Sequence, residues 1–96
     1  MSAYIIVDIE VKNPNEYEEY KKLALPTLKP FGGKYIVRGG KVEILEGNWN
    51  PNRFVILEFP DSEKAKAWWN SDAYTAAKSI RYRTANSKMI LVEGLN

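Results

Sequence analysis

The stretch that decides the fold is Ala3-Tyr4-Ile5-Ile6-Val7-Asp8-Ile9-Glu10-Val11-Lys12-Asn13-Pro14-Asn15-Glu16-Tyr17. Up to Val11 the aliphatic residues Ile5, Val7, Ile9 and Val11 recur at every second position, the period of a strand with one buried face. Tyr4, Ile6, Asp8 and Glu10 fall on the other face. At Asn13 the pattern changes. Asparagine followed by proline reads as a helix N-cap and first helical position, and Glu16 stands at capping-box spacing from Asn13. Tyr17, Tyr20, Leu23, Ala24, Leu28 and Phe31 then follow at helical spacing. Pro26 is expected to kink or shorten this helix, and Gly32-Gly33 to end it.

Outward from this start, Lys34 to Arg38 reads as a second strand. Gly39-Gly40 interrupts it before the extended pattern resumes from Lys41 to Glu46. A glycine pair can make a tight hairpin or a bulge in one bent strand, and the shortness of the second piece favours the bulge. Gly47-Asn48-Trp49-Asn50-Pro51-Asn52 is a loop by composition. Arg53 to Phe59 is a third strand, stopped by Pro60. Asp61 or Ser62 caps a second helix with Ala65, Trp68 and Trp69 on one side. Asn70-Ser71-Asp72 breaks it and supplies a fresh cap, and a further helical segment carries Tyr74, Ala77 and Ile80. Lys88 to Glu93 is the last strand, closed by Gly94. The order β-α-β-β-α-β predicts an α+β, ferredoxin-like sandwich: a four-stranded antiparallel sheet, strand order 4-1-3-2, with two helices on one face. A chain of 96 residues suits one domain over 1–96.

The composition narrows the chemistry. With no histidine and no cysteine, the chain lacks the commonest general base, the thiol nucleophile and the best transition-metal ligands. It has no GxGxxG and no Walker motif, and its carboxylates are scattered, so neither a cofactor nor a metal is expected. The 14 basic and 12 acidic residues are interspersed. That is a solvated mixed surface without the basic stripe of a nucleic-acid module. The densest basic cluster, Arg81-Tyr82-Arg83 with Lys78 and Lys88 nearby, reads as a complement to the carbonyl end of a helix. The start lacks the features of a signal peptide, and the apolar runs are too short to cross a bilayer. A cytoplasmic protein without a membrane partner is therefore expected.

Strand alternation gives the sheet two unlike faces. Ile5, Val7, Ile9 and Val11, with Tyr35, Val37, Val55, Leu57 and Phe59, are expected to face the helices. The opposite face should carry Tyr4, Ile6, Asp8, Ile36, Arg38, Phe54, Ile56, Glu58, Met89 and Leu91. It is too apolar to lie open to water and too charged for a core. A second copy packed face to face answers both problems, so a homodimer through the sheet face is expected. Arg38 would lean across Phe54 toward Asp8.

Enclosure by a partner would raise the proton affinity of Asp8 and Glu58, making them candidate general bases. The plainer alternative is an ion pair with Arg38 or a solvated rim. Arg38 could clamp a ligand carboxylate or contact carbonyls around Gly39-Gly40. Trp68 and Trp69 are core aromatics or a ligand platform. Tyr74 is a donor to an oxyanion or a buried phenol with a backbone partner. Ser71 reads as a cap, and Trp49 as a residue of the dimer boundary. The ligand-binding candidates are Tyr4, Arg38, Phe54, Trp69 and Tyr74.

The runs Phe31-Gly32-Gly33-Lys34-Tyr35-Ile36-Val37-Arg38-Gly39-Gly40 and Val42-Glu43-Ile44-Leu45-Glu46-Gly47 resemble the family called domain of unknown function 1330. So do Val55-Ile56-Leu57-Glu58-Phe59-Pro60, Ala67-Trp68-Trp69-Asn70-Ser71 with Tyr74, Asn13-Pro14-Asn15-Glu16-Tyr17 and Leu91-Val92-Glu93-Gly94. The resemblance spans nearly the whole chain and implies a dimeric α/β barrel. The wider superfamily it resembles includes haem-degrading monooxygenases, cofactor-free quinol oxygenases, muconolactone isomerases and stress-responsive barrel proteins. It implies a small-molecule site between sheet and helices, with Trp68, Trp69 and Tyr74 nearby. The haem-binding branch needs an axial histidine, which this chain lacks. The sequence thus points to a homodimer that binds a small organic molecule. Cofactor-independent oxygenation or isomerisation of an acidic or phenolic substrate would be its chemistry. The alternative is a non-catalytic structural or interaction protein.

Overall fold

β1 (Ala3–Val11) is a central strand of the sheet in the computed structural model, which describes residues 1–95. It pairs antiparallel with β3 (Arg53–Phe59) on one side and β4 (Ala85–Glu93) on the other. β2 (Lys34–Arg38) completes the order β2-β3-β1-β4. Ile5, Val7 and Ile9 are buried, as alternation requires, and their partners form rows across the sheet. Leu57-Ile5-Leu91, Val55-Val7-Met89 and Arg53-Ile9-Ser87 all face the helices.

α1 (Pro14–Thr27) begins as the sequence predicts: the Asn13 side chain accepts from the Glu16 amide at 3.2 Å. The return bond of the capping box differs. Glu16 takes the Asn13 side-chain amide at 3.1 Å, while the Asn13 backbone N–H donates to the Thr84 carbonyl. This ties the start of α1 to the end of α3 (Asp72–Thr84). α1 ends one residue after Pro26 and passes through a short 3-10 turn (Lys29–Phe31) to Gly32 at φ +70. Gly33 has a packing reason: a Cβ there would lie 2.5 Å from the Phe59 ring. α2 (Ser62–Trp69) is capped by Asp61, which accepts from the Lys64 amide at 2.8 Å, and α3 by Ser71. The helical layer therefore holds three helices, with the break at Asn70-Ser71 where the sequence places it. Phe59 of β3 with Trp68, Tyr74 and Thr84 of the helices are the largest fully buried side chains among the described residues. The Trp68 indole N–H donates to Thr27 Oγ1 at 2.9 Å, satisfying the one polar atom that its burial would strand.

Three expectations are corrected. Gly39-Gly40 is not a bulge in a longer strand: β2 stops at Arg38, and residues 41–46 form no strand. The irregularity falls earlier, between Tyr35 and Val37, where Ile36 is the extra residue. That insertion inverts the alternation beyond it. Val37 now pairs with Ile56 on the open face, and Arg38 with Val55 on the helix side, where its guanidinium lies 4.5 Å from the Tyr35 ring centroid. Last, β4 starts directly after α3 at Ala85, and its register sets Met89 and Leu91 toward the helices; Lys88, Ile90 and Val92 take the open face.

Candidate functional site

The residues singled out in the sequence do not converge on one place. On the open face the Tyr4 hydroxyl donates to Glu58 Oε2 at 3.3 Å, and Lys34 pairs with Glu58 at 3.5 Å. The Glu58 carboxyl is held below its ordinary range, first by the Ser2 hydroxyl and then by Lys34 and Tyr4 against an opposing desolvation. Asp8 lies opposite Phe54, four positions along β1 from the Tyr4–Glu58 pair. At about 3.3 Å per residue that is roughly 13 Å, too far for a carboxylate pair. Asp8 instead accepts the Asn52 amide at 2.9 Å and so anchors the end of the 39–52 segment. Trp49 packs edge-on against Phe54, with ring centroids 5.8 Å apart. Arg38 faces the other side of the sheet, so the expected reach across Phe54 toward Asp8 does not occur.

The helix side holds a different constellation. Tyr74, fully buried, shares a hydrogen bond of 2.8 Å between its hydroxyl and that of Tyr20. Arg81 rises from the last turn of α3 and is 2% exposed. Its Nε donates to the Tyr74 hydroxyl at 3.3 Å and its Nη1 to the Ser87 hydroxyl. Its Nη2 is buried without a partner, as is Nε of Arg53 on the neighbouring row. Among the described residues neither guanidinium has a carboxylate within 4.0 Å. Burial raises the Tyr17 phenol, with Arg53 in partial opposition. It raises Tyr20 strongly, with Tyr74 adding to the effect. Desolvation acts to weaken the Arg81 cation, but Tyr74 and Tyr20 outweigh it and hold its pKa above the ordinary value. Arg81 is therefore a buried cation that hydrogen-bonds one phenol and one hydroxyl, with its guanidinium carbon 5.1 Å from the Tyr82 ring centroid.

Arg81 borders a crevice between α2, α3 and β4. One hollow of about 440 Å³ is lined by Trp69, Arg81, Tyr82, Asn86, Ser87 and Met89. A second, of about 190 Å³, is lined by Ile5, Ala65, Lys66, Trp69, Met89 and Leu91. Trp69 and Met89 belong to both. Lys78 holds Trp69 in place: its ammonium sits 3.8 Å from the ring centroid and donates to the Trp69 carbonyl at 3.1 Å. Burial, then Arg81, lowers the Lys78 pKa. Of the sequence candidates, Trp69 lines the crevice. Tyr74, 5.9 Å from it between centroids, stands behind Arg81.

The sequence reading missed Arg81 by assigning it to the helix end. The signal was its spacing: Tyr74, Ala77, Arg81 and Thr84 all lie on the buried stripe of α3. A charge on such a stripe is unusual unless it has a function or a partner.

A four-stranded antiparallel sheet in this order, covered by helices on one face, defines the ferredoxin-like α+β class. The chain belongs to the family described as Domain of unknown function (DUF1330), which it matches over residues 2–95. No protein of curated function matches it. Among solved structures, it is similar to a protein of unknown function from Rhodopseudomonas palustris (TM-score 0.79, 17% identity, covering 99% of this chain and 83% of that one). It is also similar to SnoaB, a cofactor-independent oxygenase from Streptomyces nogalater (TM-score 0.68, 11% identity, 99% and 94% covered). A third is a dimeric ferredoxin-like protein of unknown function from Thermobifida fusca (TM-score 0.63, 13% identity, 98% and 92% covered). At these identities the likeness is one of fold. Among the described residues no helix is long and apolar enough to cross a membrane, and no three His, Cys, Asp or Glu side chains cluster as metal ligands would.

Proposed function

We propose that this protein is a homodimer that binds a small acidic or phenolic molecule in the crevice between α2, α3 and β4. The observation that carries the reading is Arg81, a residue of the crevice wall whose guanidinium is buried with no carboxylate partner among the described residues and whose Nη2, sealed beneath that wall, has no hydrogen-bond partner there. A buried donor left unmade costs about 1–3 kcal/mol, more when charged. A ligand oxygen carrying negative charge would remove that cost and pair the charge. Trp69 offers the planar wall that an organic ligand needs.

The dimer is supported by the open face. Ile6, Val37, Ile56, Ile90 and Val92 share it, and Ile90 is 60% exposed. The adjoining 40–52 segment adds exposed Val42, Ile44, Leu45 and Trp49. That much contiguous apolar surface calls for a cover, and the fold neighbour from Thermobifida fusca is described as dimeric. Tyr4, Asp8, Phe54 and Glu58 would then border the enclosed space, with Asp8 and Glu58 as its carboxylates.

Cofactor-independent oxygenation or isomerisation of the bound molecule is the second reading. The hydrogen-bonded chain Arg81–Tyr74–Tyr20 favours it, because such a chain can stabilise charge that develops on a ligand oxygen. Among the described residues no carboxylate lines the crevice, so binding is the primary role proposed. A thermal-shift series tests it. Benzoate, and more weakly phenol, should raise the melting temperature of the wild type, and cyclohexanol should not; Arg81→Met should abolish both responses. Indifference to every acid and phenol would leave a structural or interaction protein as the better reading.

A further inference from the structure

The two hollows of the crevice share Trp69 and Met89 in their walls and differ sharply in chemistry. The first ends on Arg81 and Ser87; the second is walled by Ile5, Ala65 and Leu91. We infer that the ligand is an apolar-tailed monocarboxylate, its carboxylate on Arg81 and Ser87 and its tail running along β4 toward Leu91 beneath Trp69. This rests on the crevice being the ligand site.

Three observations select the class. First, the free donors match a carboxylate. Arg81 Nη2 is unpartnered among the described residues and sealed from solvent, so a ligand oxygen reaches it by displacing the side chains that cover it. The Ser87 hydroxyl accepts from Arg81 Nη1, so its own hydrogen is free to point at a second oxygen. A carboxyl group has two acceptor oxygens side by side. Second, charge separates an acid from a phenol. A phenol keeps its proton up to a pKa of about 10, so at neutral pH it would leave the guanidinium uncompensated. A carboxylate arrives ionised. Third, the far end is apolar. Between Ser87 and Leu91 the helix-facing side chain of β4 is Met89, opposite Val7, and Leu91 is opposite Ile5. Four residues of strand span roughly 13 Å from Ser87 to Leu91. Among the described residues the one charged group bordering that end, Lys66, is exposed in the last turn of α2. A second carboxylate on the ligand would gain little there.

An NMR titration of the full chain tests the class, with octanoate, hexanoate, acetate, octanamide, phenol and the dicarboxylate suberate as probes. Octanoate should shift the Trp69 indole N–H and the amides of Ser87, Met89 and Leu91. Affinity should fall about fourfold for each methylene removed from the buried tail. It should fall at least tenfold for octanamide and for Arg81→Met. Leu91→Glu, at the half-exposed far end, leaves the guanidinium intact. It should weaken octanoate about tenfold and leave acetate unchanged, so the proposal does not depend on Arg81→Met folding normally. Crevice shifts that are equal for octanoate, octanamide and phenol would overturn the carboxylate assignment while sparing the site. Tighter binding of suberate than of octanoate would overturn the apolar tail. Absence of crevice shifts with any probe would overturn the ligand site and this inference together.

Discussion

Arg81 and Tyr74, two turns apart on α3, are joined by a 3.3 Å hydrogen bond from guanidinium Nε to phenol oxygen, and both are almost wholly buried. The bond aims the guanidinium along the sheet toward Ser87 and leaves its remaining nitrogen, Nη2, without a partner. Tyr74 is fixed in turn by Tyr20 from α1 and by Trp68, whose ring centroid lies 3.9 Å from its own. Arg81 at the crevice wall is thus backed by side chains of α1, α2 and α3 together, where a core made only for stability would hold apolar side chains.

Arg81→Met should separate stability from binding. Replacing a buried polar or charged arrangement by apolar groups of similar volume is often neutral or stabilising. The variant is expected to unfold in urea at the wild-type midpoint or above it, while losing carboxylate binding. A loss of more than about 3 kcal/mol, the range for breaking a needed buried pair, would make Arg81 a structural residue.

Tyr74→Phe should cost more than Tyr20→Phe. Removing the Tyr74 hydroxyl leaves both Arg81 Nε and the Tyr20 hydroxyl unmade, whereas removing that of Tyr20 leaves Tyr74 its bond to Arg81. The expected loss for Tyr74→Phe is about 1–3 kcal/mol, read from urea denaturation. Equal, negligible losses would mean that the phenols do not hold the guanidinium.

Alkaline pH should destabilise the fold through Tyr17, Tyr20 and Tyr35, whose phenols burial holds above the ordinary 10.0. The sign follows from linkage. Above pH 10 the unfolded chain releases these protons while the folded chain keeps them, so their contribution is complete below 10 and falls as pH rises. Urea midpoints should hold from pH 8 to 9.5 and drop steeply by pH 11. Tyrosinate absorbance in native protein should lag behind that of a denatured control. Native absorbance that tracks the control would contradict the buried phenol cluster.

Ile90→Lys tests the homodimer. Placed on the open face beside Ile6, the charge should split a complex of twice 11.0 kDa into monomers in sedimentation at micromolar concentration. The wild type should also protect amides 41–46 from hydrogen exchange, because no backbone partner within the chain does so among the described residues. A wild type that sediments as a monomer and exchanges freely there would contradict it.

Much of this architecture was legible from alternation and caps. β1 and β3 begin and end where period two and the bounding residues say, β2 begins where it should, and Asn13, Asp61 and Ser71 cap as their side chains allow. β4 escaped because Met89-Ile90-Leu91-Val92 is apolar at every position, so no alternation marks its face. Arg38 was misplaced by one unpaired residue, Ile36, which carries no sequence mark of a bulge. Residues 41–46 alternate like a strand, but β2 is the sheet edge and the chain offers them no neighbour. The site was half legible: Trp69 and Tyr74 stood out as aromatics, but Arg81 did not, since its charge suited a helix end as well as a buried stripe.

A crystal structure grown with octanoate tests the central claim most directly. The account predicts the carboxylate within hydrogen-bond distance of Arg81 Nη2 and Ser87 Oγ, with the chain beneath Trp69. A crevice closed by side chains, a partner carboxylate seated on Arg81, or octanoate lodged between Asp8 and Phe54 on the open face would contradict it.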